Sequence, residues 1–271
     1  MTLTAIVPRS SSIFHGHCLC PISYRSRPPG GRSEDIDALA KCGDTLAMRY
    51  DGGKGTCYAQ IINLMPPHAR YVETHLGGGA VMRNKKVAAT QIGIERDAAV
   101  IEATEEALTG LCTLVHGDAI EWLQSTSLDA DTLIYVDPPY HPETRRRARV
   151  YRHDYSAEDH ERLLNILTKL PCMVLISGYD CALYQERLAD WGQYRFQVRT
   201  RVGMREECVW FNYPKPEILH DDRYLGDGFR QREIIRRRKD RLRQRVLKLS
   251  IAEKASLHEW LGDLIAGECD K

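Results

Sequence analysis

The segment TLIYVDPPY, residues 132–140, passes from an apolar run directly into an aspartate, two prolines and a tyrosine. The run Thr132–Val136 predicts a β-strand. The two prolines fix their own φ angles and keep the preceding residue out of helix, so the strand is expected to end in a stiff, open loop. Such a loop presents a carboxylate, a proline carbonyl without local partners and an aromatic face together.

Short apolar runs of this kind alternate with amphipathic stretches from residue 70 to residue 212. This alternation predicts βαβ units, and therefore an α/β fold with a mostly parallel seven-stranded sheet covered by helices on both faces. A short turn around Gly203 predicts an antiparallel hairpin at one edge. The predicted strands are Arg70–Glu73, Gln91–Glu95, Thr113–His116, Thr132–Val136, Met173–Ser177, Phe196–Arg201 and Glu207–Phe211, and the predicted helices include Ala98–Thr109, Ala119–Gln124 and Ala157–Lys169.

The chain of 271 residues, with 43% hydrophobic and 28% charged residues, has the composition of a globular protein. We expect a catalytic domain over residues 48–213 and a basic helical extension over residues 214–271. Residues 1–47 carry Pro, Gly, Ser and Arg without an amphipathic period, and we expect them to be mostly unpacked. Four bunched residues there, His15, His17, Cys18 and Cys20, lack the spacing of zinc ligands, so no metal is expected.

The cysteine pattern and the hydropathy of the sequence indicate the cellular compartment. The nine cysteines include no CxxC pair, which favours free thiols in a reducing cytoplasm. No run of about 18 apolar residues is present, and the first residues lack the apolar core of a secretory signal. We therefore expect a cytoplasmic protein without a membrane partner.

Three consecutive glycines, Gly77 to Gly79, follow the first predicted strand and allow a ligand to lie against bare backbone. They do not form GxGxxG, and no Walker lysine follows, so binding of a dinucleotide or ATP is poorly supported. Glu73, at the end of that strand, offers a carboxylate to a ligand with amine or hydroxyl donors. A plain turn is the alternative interpretation of the glycines.

Two further acids follow predicted strands. Glu95 stands where nucleoside-binding α/β folds hold a ribose hydroxyl pair. Its alternative, a solvated acid at a helix N-terminus, suits the neighbouring Asp97 better. Asp118 follows the third strand, where it is either a ligand contact or a helix N-cap. Because ligands of open α/β sheets bind beyond the carboxyl ends of the strands, these acids are candidate binding residues.

The tetrapeptide Asp137-Pro138-Pro139-Tyr140 fits an exocyclic amine of a nucleobase. The lone pair of such an amine is delocalised into the ring, and two acceptors bonding its hydrogens favour a more nucleophilic nitrogen. An aromatic ring can stack on an extruded base. A chance Pro-Pro turn is the alternative.

Several motifs in this order resemble the amino-methylating DNA methyltransferases, and within them the Dam-type adenine enzymes. The resemblance covers about residues 48–213 and rests on RYDGGKG (49–55), YVETHLGGGAV (71–81), IGIERD (92–97), HGDAIEWL (116–123) and DPPY (137–140). It implies a Rossmann-like S-adenosylmethionine-dependent methyltransferase fold, S-adenosyl-L-methionine as methyl donor and the N6 amine of adenine in DNA as target.

The resemblance also implies roles for single residues. Asp137, the carbonyl of Pro138 and Tyr140 would hold the amine and the base, with Pro139 in the same catalytic motif. The residues that would contact the cofactor or shape its pocket are Tyr50, Lys54, Glu73, Gly77, Gly78, Gly79, Glu95, Asp118 and Asp137.

Two departures from the family pattern bear on pocket and specificity. Thr74-His75 stands where the family usually has Pro-Phe before the glycines. Only 57 residues separate Gly79 from Asp137, which leaves no room for the recognition domain usually inserted there.

Two basic segments are candidate DNA contacts. After the tetrapeptide, Arg145, Arg146, Arg147 and Arg149 are expected to neutralise phosphates near the flipped base, or else to form a solvated charged loop. Residues 230–248 hold ten Lys or Arg against two acids, Glu233 and Asp240, and predict a basic helix that grips a DNA backbone, binds acidic protein surfaces or stays solvated. Tyr179 and Asp180, after the fifth strand, either line the target pocket or form an ordinary turn.

The sequence is also compatible with other functions. The same two acceptors suit the N4 amine of cytosine. An RNA or protein methyltransferase fits the surrounding motifs less well. A catalytically silent DNA-binding module with this fold is the alternative from a different class.

Overall fold

A computed structural model describes residues 53–145, 152–200 and 203–269. Its seven strands form one sheet in the order β3-β2-β1-β4-β5-β7-β6. Strands β1 to β5 run parallel, and β7 is antiparallel to both β5 and β6. The predicted Rossmann-like α/β fold, a mostly parallel seven-stranded sheet with an antiparallel edge hairpin, is confirmed. The strands are β1 (Arg70–Glu73), β2 (Thr90–Glu95), β3 (Thr113–His116), β4 (Thr132–Val136), β5 (Met173–Gly178), β6 (Gly192–Thr200) and β7 (Gly203–Phe211).

Helices connect the parallel strands, as the alternating pattern predicts. The helices are α1 (Tyr58–Ile62), α2 (Ala80–Asn84), α3 (Ala98–Leu108), α4 (Ala119–Ser125), α5 (Ala157–Leu167), α6 (Ala182–Arg187), α7 (Phe229–Leu247) and α8 (Ile251–Cys269), with single 3-10 turns at Pro142–Thr144 and Asp222–Tyr224. Helix α5 begins with a capping box, in which the Ser156 side chain and Asp159 bond each other's backbone N–H groups.

The edge hairpin is longer than the sequence predicts. β6 begins at Gly192 instead of Phe196, and β7 begins at Gly203 instead of Glu207. The reason is that backbone pairing runs the whole length of both strands: residues 192–195 pair with the apolar residues 208–211, and residues 197–200 pair with residues 203–206. Arg195 and Glu206 also form an ion pair across the hairpin at 3.2 Å.

The core lies on both faces of the sheet. Every residue of β4 is buried, and alternate residues point to opposite faces. Ile134 and Val136 pack in the cluster that contains α5, whereas Leu133 and Tyr135 pack in the cluster that contains α1 and α2. Fully burying one such aliphatic side chain stabilises the fold by about 1.5–3 kcal/mol.

The strand order reverses direction between β1 and β4. From β1 the chain adds β2 and β3 on one side, and then returns to place β4 on the other side. Beyond the carboxyl ends of these two strands lies the crevice where open α/β sheets bind ligands. The loops that follow β1 and β4 are the glycine loop and the Asp137–Tyr140 loop, so the fold brings these two motifs to one edge.

Helices α7 and α8 follow the sheet and are exposed along most of their length. Helix α7 covers the stretch for which the sequence predicts a basic helix, and none of its residues is buried. Among the described residues, no helix combines the length and the apolar character needed to cross a membrane.

Some sequence predictions fall outside the described residues. These are the unpacked segment 1–47 with its bunched His and Cys residues, the cofactor residue Tyr50, and the phosphate contacts Arg146, Arg147 and Arg149.

Candidate functional site

A cavity of about 330 Å³ opens at the carboxyl edge of the sheet. Its walls come from the loops after β1, β2, β3 and β4, from Lys54 ahead of α1, and from the segment around Tyr155. Gly77, Gly78 and Tyr140 all line it, so the glycine loop and the Asp137–Tyr140 loop share one cavity. The volume lies within the range of about 300–1,000 Å³ that is usual for small-molecule sites.

The glycine loop is a tight turn that requires glycine at two positions. Gly77 has φ 49° and Gly79 has φ 60°, both in the left-handed region that glycine adopts without a steric penalty. A Cβ on Gly79 would also lie 3.2 Å from the side chain of Leu108. The loop therefore passes close to α3 and turns directly into α2.

Glu95 ties together the loops after β1 and β2. Its Oε2 accepts a hydrogen bond from the backbone N–H of Gly77 at 2.8 Å, and its Oε1 accepts one from Asp97 at 2.9 Å. Glu95 also lines the cavity. The acid predicted to hold a ribose therefore fixes the shape of the glycine loop as well.

Two other predicted acids take different positions on the cavity wall. Glu73 is buried and accepts a hydrogen bond from the hydroxyl of Tyr71 at 3.1 Å. Burial raises the pKa of Glu73 to about 8. Asp118 is the N-cap of α4 and accepts from the backbone N–H groups of Ile120 and Glu121, and it still lines the cavity. Asp118 thus caps helix α4 and also lines the cavity.

Lys54 lies between two carboxylates. Its Nζ is 2.7 Å from Oδ1 of Asp137 and 3.0 Å from Oε1 of Glu207, and the Lys54 and Glu207 side chains are 5% and 2% exposed. Burial by itself lowers the pKa of Lys54, but the two carboxylates outweigh burial and raise that pKa well above its usual value. Lys54 is therefore a charged ammonium. Its single positive charge is smaller than the two negative charges of Asp137 and Glu207 together.

Asp137 is held from a second side by β5. The hydroxyl of Ser177 donates to Oδ1 of Asp137 at 2.8 Å, and Ser177 also lies 3.0 Å from the hydroxyl of Tyr135. Oδ1 is the atom engaged by both Lys54 and Ser177. The carboxylate is fixed in orientation by Ser177 on β5 and by Lys54 on the segment before α1.

Tyr140 stacks on Tyr179, with ring centroids 4.1 Å apart and an interplanar angle of 26°. The guanidinium of Arg205 lies over the ring of Tyr179, 3.7 Å from its centroid, and donates to the carbonyl of Thr144 at 3.0 Å. Of the pair left open by the sequence, Tyr179 contacts the cavity residue Tyr140 but does not itself line the cavity. Asp180 instead forms an ion pair with Arg195 at 2.7 Å.

The structure contradicts the predicted phosphate contact of Arg145. Its side chain is 4% exposed and forms an ion pair with Asp154 at 3.1 Å. It also donates to the backbone carbonyls of Tyr140 and Tyr155. Because these acceptors lie inside the fold, the guanidinium braces the Asp137–Tyr140 loop instead of facing solvent.

The Thr74-His75 departure from the family pattern gives one cavity wall a polar character. His75 lies between the hydroxyl of Thr74, at 2.9 Å, and the hydroxyl of Tyr155, at 3.1 Å. Burial lowers the pKa of His75 to about 3, so the imidazole is neutral near pH 7.

Sequence reasoning missed Glu207, Ser177 and Tyr155 as site residues. The only signal for Glu207 is an acid at the start of the apolar run ECVWF (207–211), which is typical of an ordinary strand boundary. Its partner Lys54 lies more than 150 residues earlier in the chain. No local pattern connects the two.

A separate group of possible metal ligands lies among the described residues. His141, Glu143 and Cys181 bring ligand atoms within 4.8 Å of one another. None of the three lines the cavity.

Comparisons with known proteins give structural similarity only. No family model matches the sequence, and no curated protein matches it. Similar solved structures include an rRNA methylase from Streptococcus thermophilus (11% identity, 57% of this chain and 93% of that chain, TM-score 0.39). Others are a putative RNA methyltransferase, PH1948, from Pyrococcus horikoshii (11%, 66% and 96%, 0.41) and M. capricolum TrmK in complex with S-adenosyl-homocysteine (7%, 76% and 94%, 0.42). At these identities and TM-scores the similarity assigns neither reaction nor substrate.

Proposed function

We propose that this protein is an S-adenosylmethionine-dependent methyltransferase that methylates the N6 amine of adenine in DNA. The observation that carries the proposal is the single cavity shared by the glycine loop and Asp137–Tyr140. A methyl donor and an amine must meet within bonding distance. The proposal assigns the donor to the glycine loop and the amine to Asp137 and Pro138, and residues of both loops line this cavity.

The charge of the cavity fits a cationic cofactor. Its acids are Glu73, Glu95, Asp97, Asp118 and Asp137, and its strong bases are Lys54, Arg96 and Arg152. Because its pKa is raised to about 8, Glu73 is mostly neutral at pH 7; the four other acids exceed the three bases by one, so the field of the cavity is negative. A sulfonium ion is stabilised by such a field. When bound, S-adenosylmethionine supplies an electrophilic methyl group.

The residues that would hold the cofactor are those that line the cavity wall formed by the loops after β1, β2 and β3. The backbone of Gly77 and Gly78 permits close approach of a ligand. Glu95 and Asp118 offer carboxylate oxygens to ribose hydroxyls and to the adenine ring of the cofactor. The neutral His75 and Tyr155 give that wall further polar atoms.

Asp137 orients the target amine. Lys54 and Ser177 both engage Oδ1, so Oδ2 is the oxygen we assign to one amine hydrogen, and the carbonyl of Pro138 is assigned to the other. Two acceptors in fixed positions draw the nitrogen lone pair out of conjugation and direct it toward the methyl group. Tyr140 offers a ring face for the base.

The preference for DNA rests on exposed positive charge. Helix α7 has no buried residue and carries most of the ten Lys and Arg between residues 230 and 248. Arginine side chains on an exposed helix neutralise phosphates without reading sequence. This agrees with the short connection between Gly79 and Asp137, which holds no inserted recognition domain.

The test is to express the protein in a host without DNA methylation and to map modified bases by single-molecule sequencing. We expect N6-methyladenine with the wild type and none with Asp137→Ala. Asp180→Ala, at an acid outside the cavity, is the matched control and keeps activity.

The other outcomes separate the alternatives. Detection of N4-methylcytosine without N6-methyladenine would identify cytosine, and not adenine, as the target base. Methylated RNA with unmodified DNA would overturn the choice of nucleic acid. Binding of S-adenosylmethionine without methyl transfer to DNA or RNA would indicate a silent binding module.

A further inference from the structure

Glu207 is a buried acid that the proposed orientation of the amine does not use. It lies on β7 opposite Phe196 of β6 and is 1% exposed. Burying a carboxylate is costly unless it is paired, so its retention here calls for a partner. The partner is the ammonium of Lys54, at 3.0 Å from Oε1.

The three charged groups form a continuous path into the protein. Oδ1 of Asp137, Nζ of Lys54 and Oε1 of Glu207 follow one another at 2.7 Å and 3.0 Å. Both spacings are ion-pair distances; among the described residues Oε1 of Glu207 has no aligned hydrogen bond, so the Lys54 ammonium must turn to donate to it. The hydroxyl of Tyr140 lies beside the path, 3.4 Å from Lys54 and 3.4 Å from Oε2 of Glu207.

Methyl transfer to an amine releases one proton. The nitrogen lone pair forms the new N–C bond, the C–S bond breaks, and sulfur keeps its electron pair. The nitrogen then carries a positive charge, which is lost when one N–H bond breaks. The proton needs a base, and Asp137 is the first base in reach of the amine.

We infer that Glu207 is the terminal proton acceptor of this site and that it receives the proton from Asp137 through Lys54. The inference rests on the proposed function. The proton moves from the amine to Asp137. Lys54 then donates one of its own protons to Oε1 of Glu207, and the nitrogen lone pair freed by this loss accepts the proton from Asp137. At the end Asp137 is again a carboxylate, Lys54 is again an ammonium and Glu207 is a neutral acid.

The surroundings of Glu207 favour this end state. Burial raises the pKa of Glu207 against the opposing effect of Lys54, so this acid binds a proton more readily than an exposed glutamate. Asp137, Lys54 and Glu207 together carry a net charge of minus one, and protonation of Glu207 brings this net charge to zero. The titratable groups that interact with Glu207 are Lys54 and Cys57 beside α1, Asp137 and Tyr140 after β4, Tyr179 after β5, and Cys208 next to it on β7.

Glu207 is thus a positioning and relay residue, and its test must separate relay from structure. We would measure single-turnover methyl transfer between pH 5 and pH 9 for the wild type, Glu207→Gln and Glu207→Asp. The matched control is Glu206→Gln, which removes an acid from the same strand that pairs with Arg195 on the exposed side.

We expect Glu207→Gln to transfer methyl groups about a hundredfold more slowly, with cofactor affinity changed less than about twofold. Wild-type activity should fall at low pH, because a Glu207 that is already protonated accepts nothing. That decline should disappear in Glu207→Gln and return in Glu207→Asp. The Glu206→Gln enzyme should follow the wild type.

Two results would overturn the inference. If Glu207→Gln keeps the wild-type rate and pH profile, the relay is wrong while the methyltransferase proposal stands. If the wild type transfers no methyl group to any nucleic acid, the proposed function and the relay fall together. Should Glu207→Gln not fold, Lys54→Arg serves instead, because a guanidinium holds its protons too tightly to relay one; full activity there would refute the relay.

Discussion

The rings of Tyr140 and Tyr179 lie stacked with their centroids 4.1 Å apart, although the two residues follow different strands. Arg205 covers the far side of Tyr179 and holds the loop that contains Thr144. At this spacing no base fits between the two rings. Under the proposed function, a base would stack on the face of Tyr140 that is turned away from Tyr179.

Removing the ring of Tyr140 should weaken binding of the target base. Base–aromatic stacking is worth about 1–3 kcal/mol, so Tyr140→Ala is expected to lose about that much affinity for DNA with an extrudable adenine. Fluorescence of 2-aminopurine at the target position measures extrusion and affinity together. Tyr179→Phe keeps a ring behind Tyr140 and should bind like the wild type; equal binding by Tyr140→Ala would exclude stacking on this residue.

Removing the charge of Lys54 should destabilise the fold. Lys54→Met leaves the buried Glu207 and the partly buried Asp137 without a cation, and breaking a buried pair in this way costs about 3–5 kcal/mol. Urea denaturation at pH 7 gives the free energy of unfolding. Adding Glu207→Gln to Lys54→Met should restore part of the loss, because one of the two orphaned charges is then gone. A double variant no more stable than Lys54→Met would show that the two groups do not interact.

Glu73 should make stability depend on pH. Burial raises its pKa to about 8 from about 4.5, so the folded state binds a proton that the unfolded state releases. The contribution of Glu73 is fully present below pH 4.5 and is lost as pH rises through 8. Glu73→Gln should therefore flatten the decline in the free energy of unfolding between pH 5 and pH 9. Glu102→Gln, at an exposed site on α3, is the control, and an unchanged slope in Glu73→Gln would contradict the prediction.

Helix α7 should determine how strongly DNA binding depends on salt. The triple variant Arg238→Gln, Arg241→Gln and Arg245→Gln removes three exposed cations from this helix. We expect weaker binding to all sequences, and a slope of log K against log salt reduced by about 0.9 for each phosphate that is no longer neutralised. The control removes three exposed cations on or next to other helices, Arg162, Lys169 and Arg187, with the same change in net charge. If both triple variants bind DNA with equally reduced affinity, only net charge matters.

The sequence predicts the sheet well and the polar contacts of the site only in part. Strands such as Thr132–Val136 are recognisable because each is a compact apolar run bounded by turn residues. The site motifs after β1 and β4 follow from the rule that ligands bind at the carboxyl ends of parallel strands. These features are local, and local patterns are what a single sequence displays.

The sequence alone does not predict the environments of Arg145 and Glu207. An arginine in a run of arginines looks solvated, yet Arg145 turns inward because two backbone carbonyls and Asp154 lie within its reach. A glutamate at a strand boundary looks like an exposed end, yet Glu207 is buried beside a lysine from the other end of the domain. Both outcomes depend on distances between elements that are remote in sequence.

The order of the strands in the sheet also determines when, during synthesis, the charged site is completed. β7 is the last strand in sequence, but it lies between β5 and β6, and it alone brings Glu207 to Lys54. A chain still on the ribosome that has not yet extruded β7 holds the glycine loop and Asp137 without the second carboxylate. Synthesis thus adds the counter-charge late, and a truncated translation product carries an incomplete reaction centre.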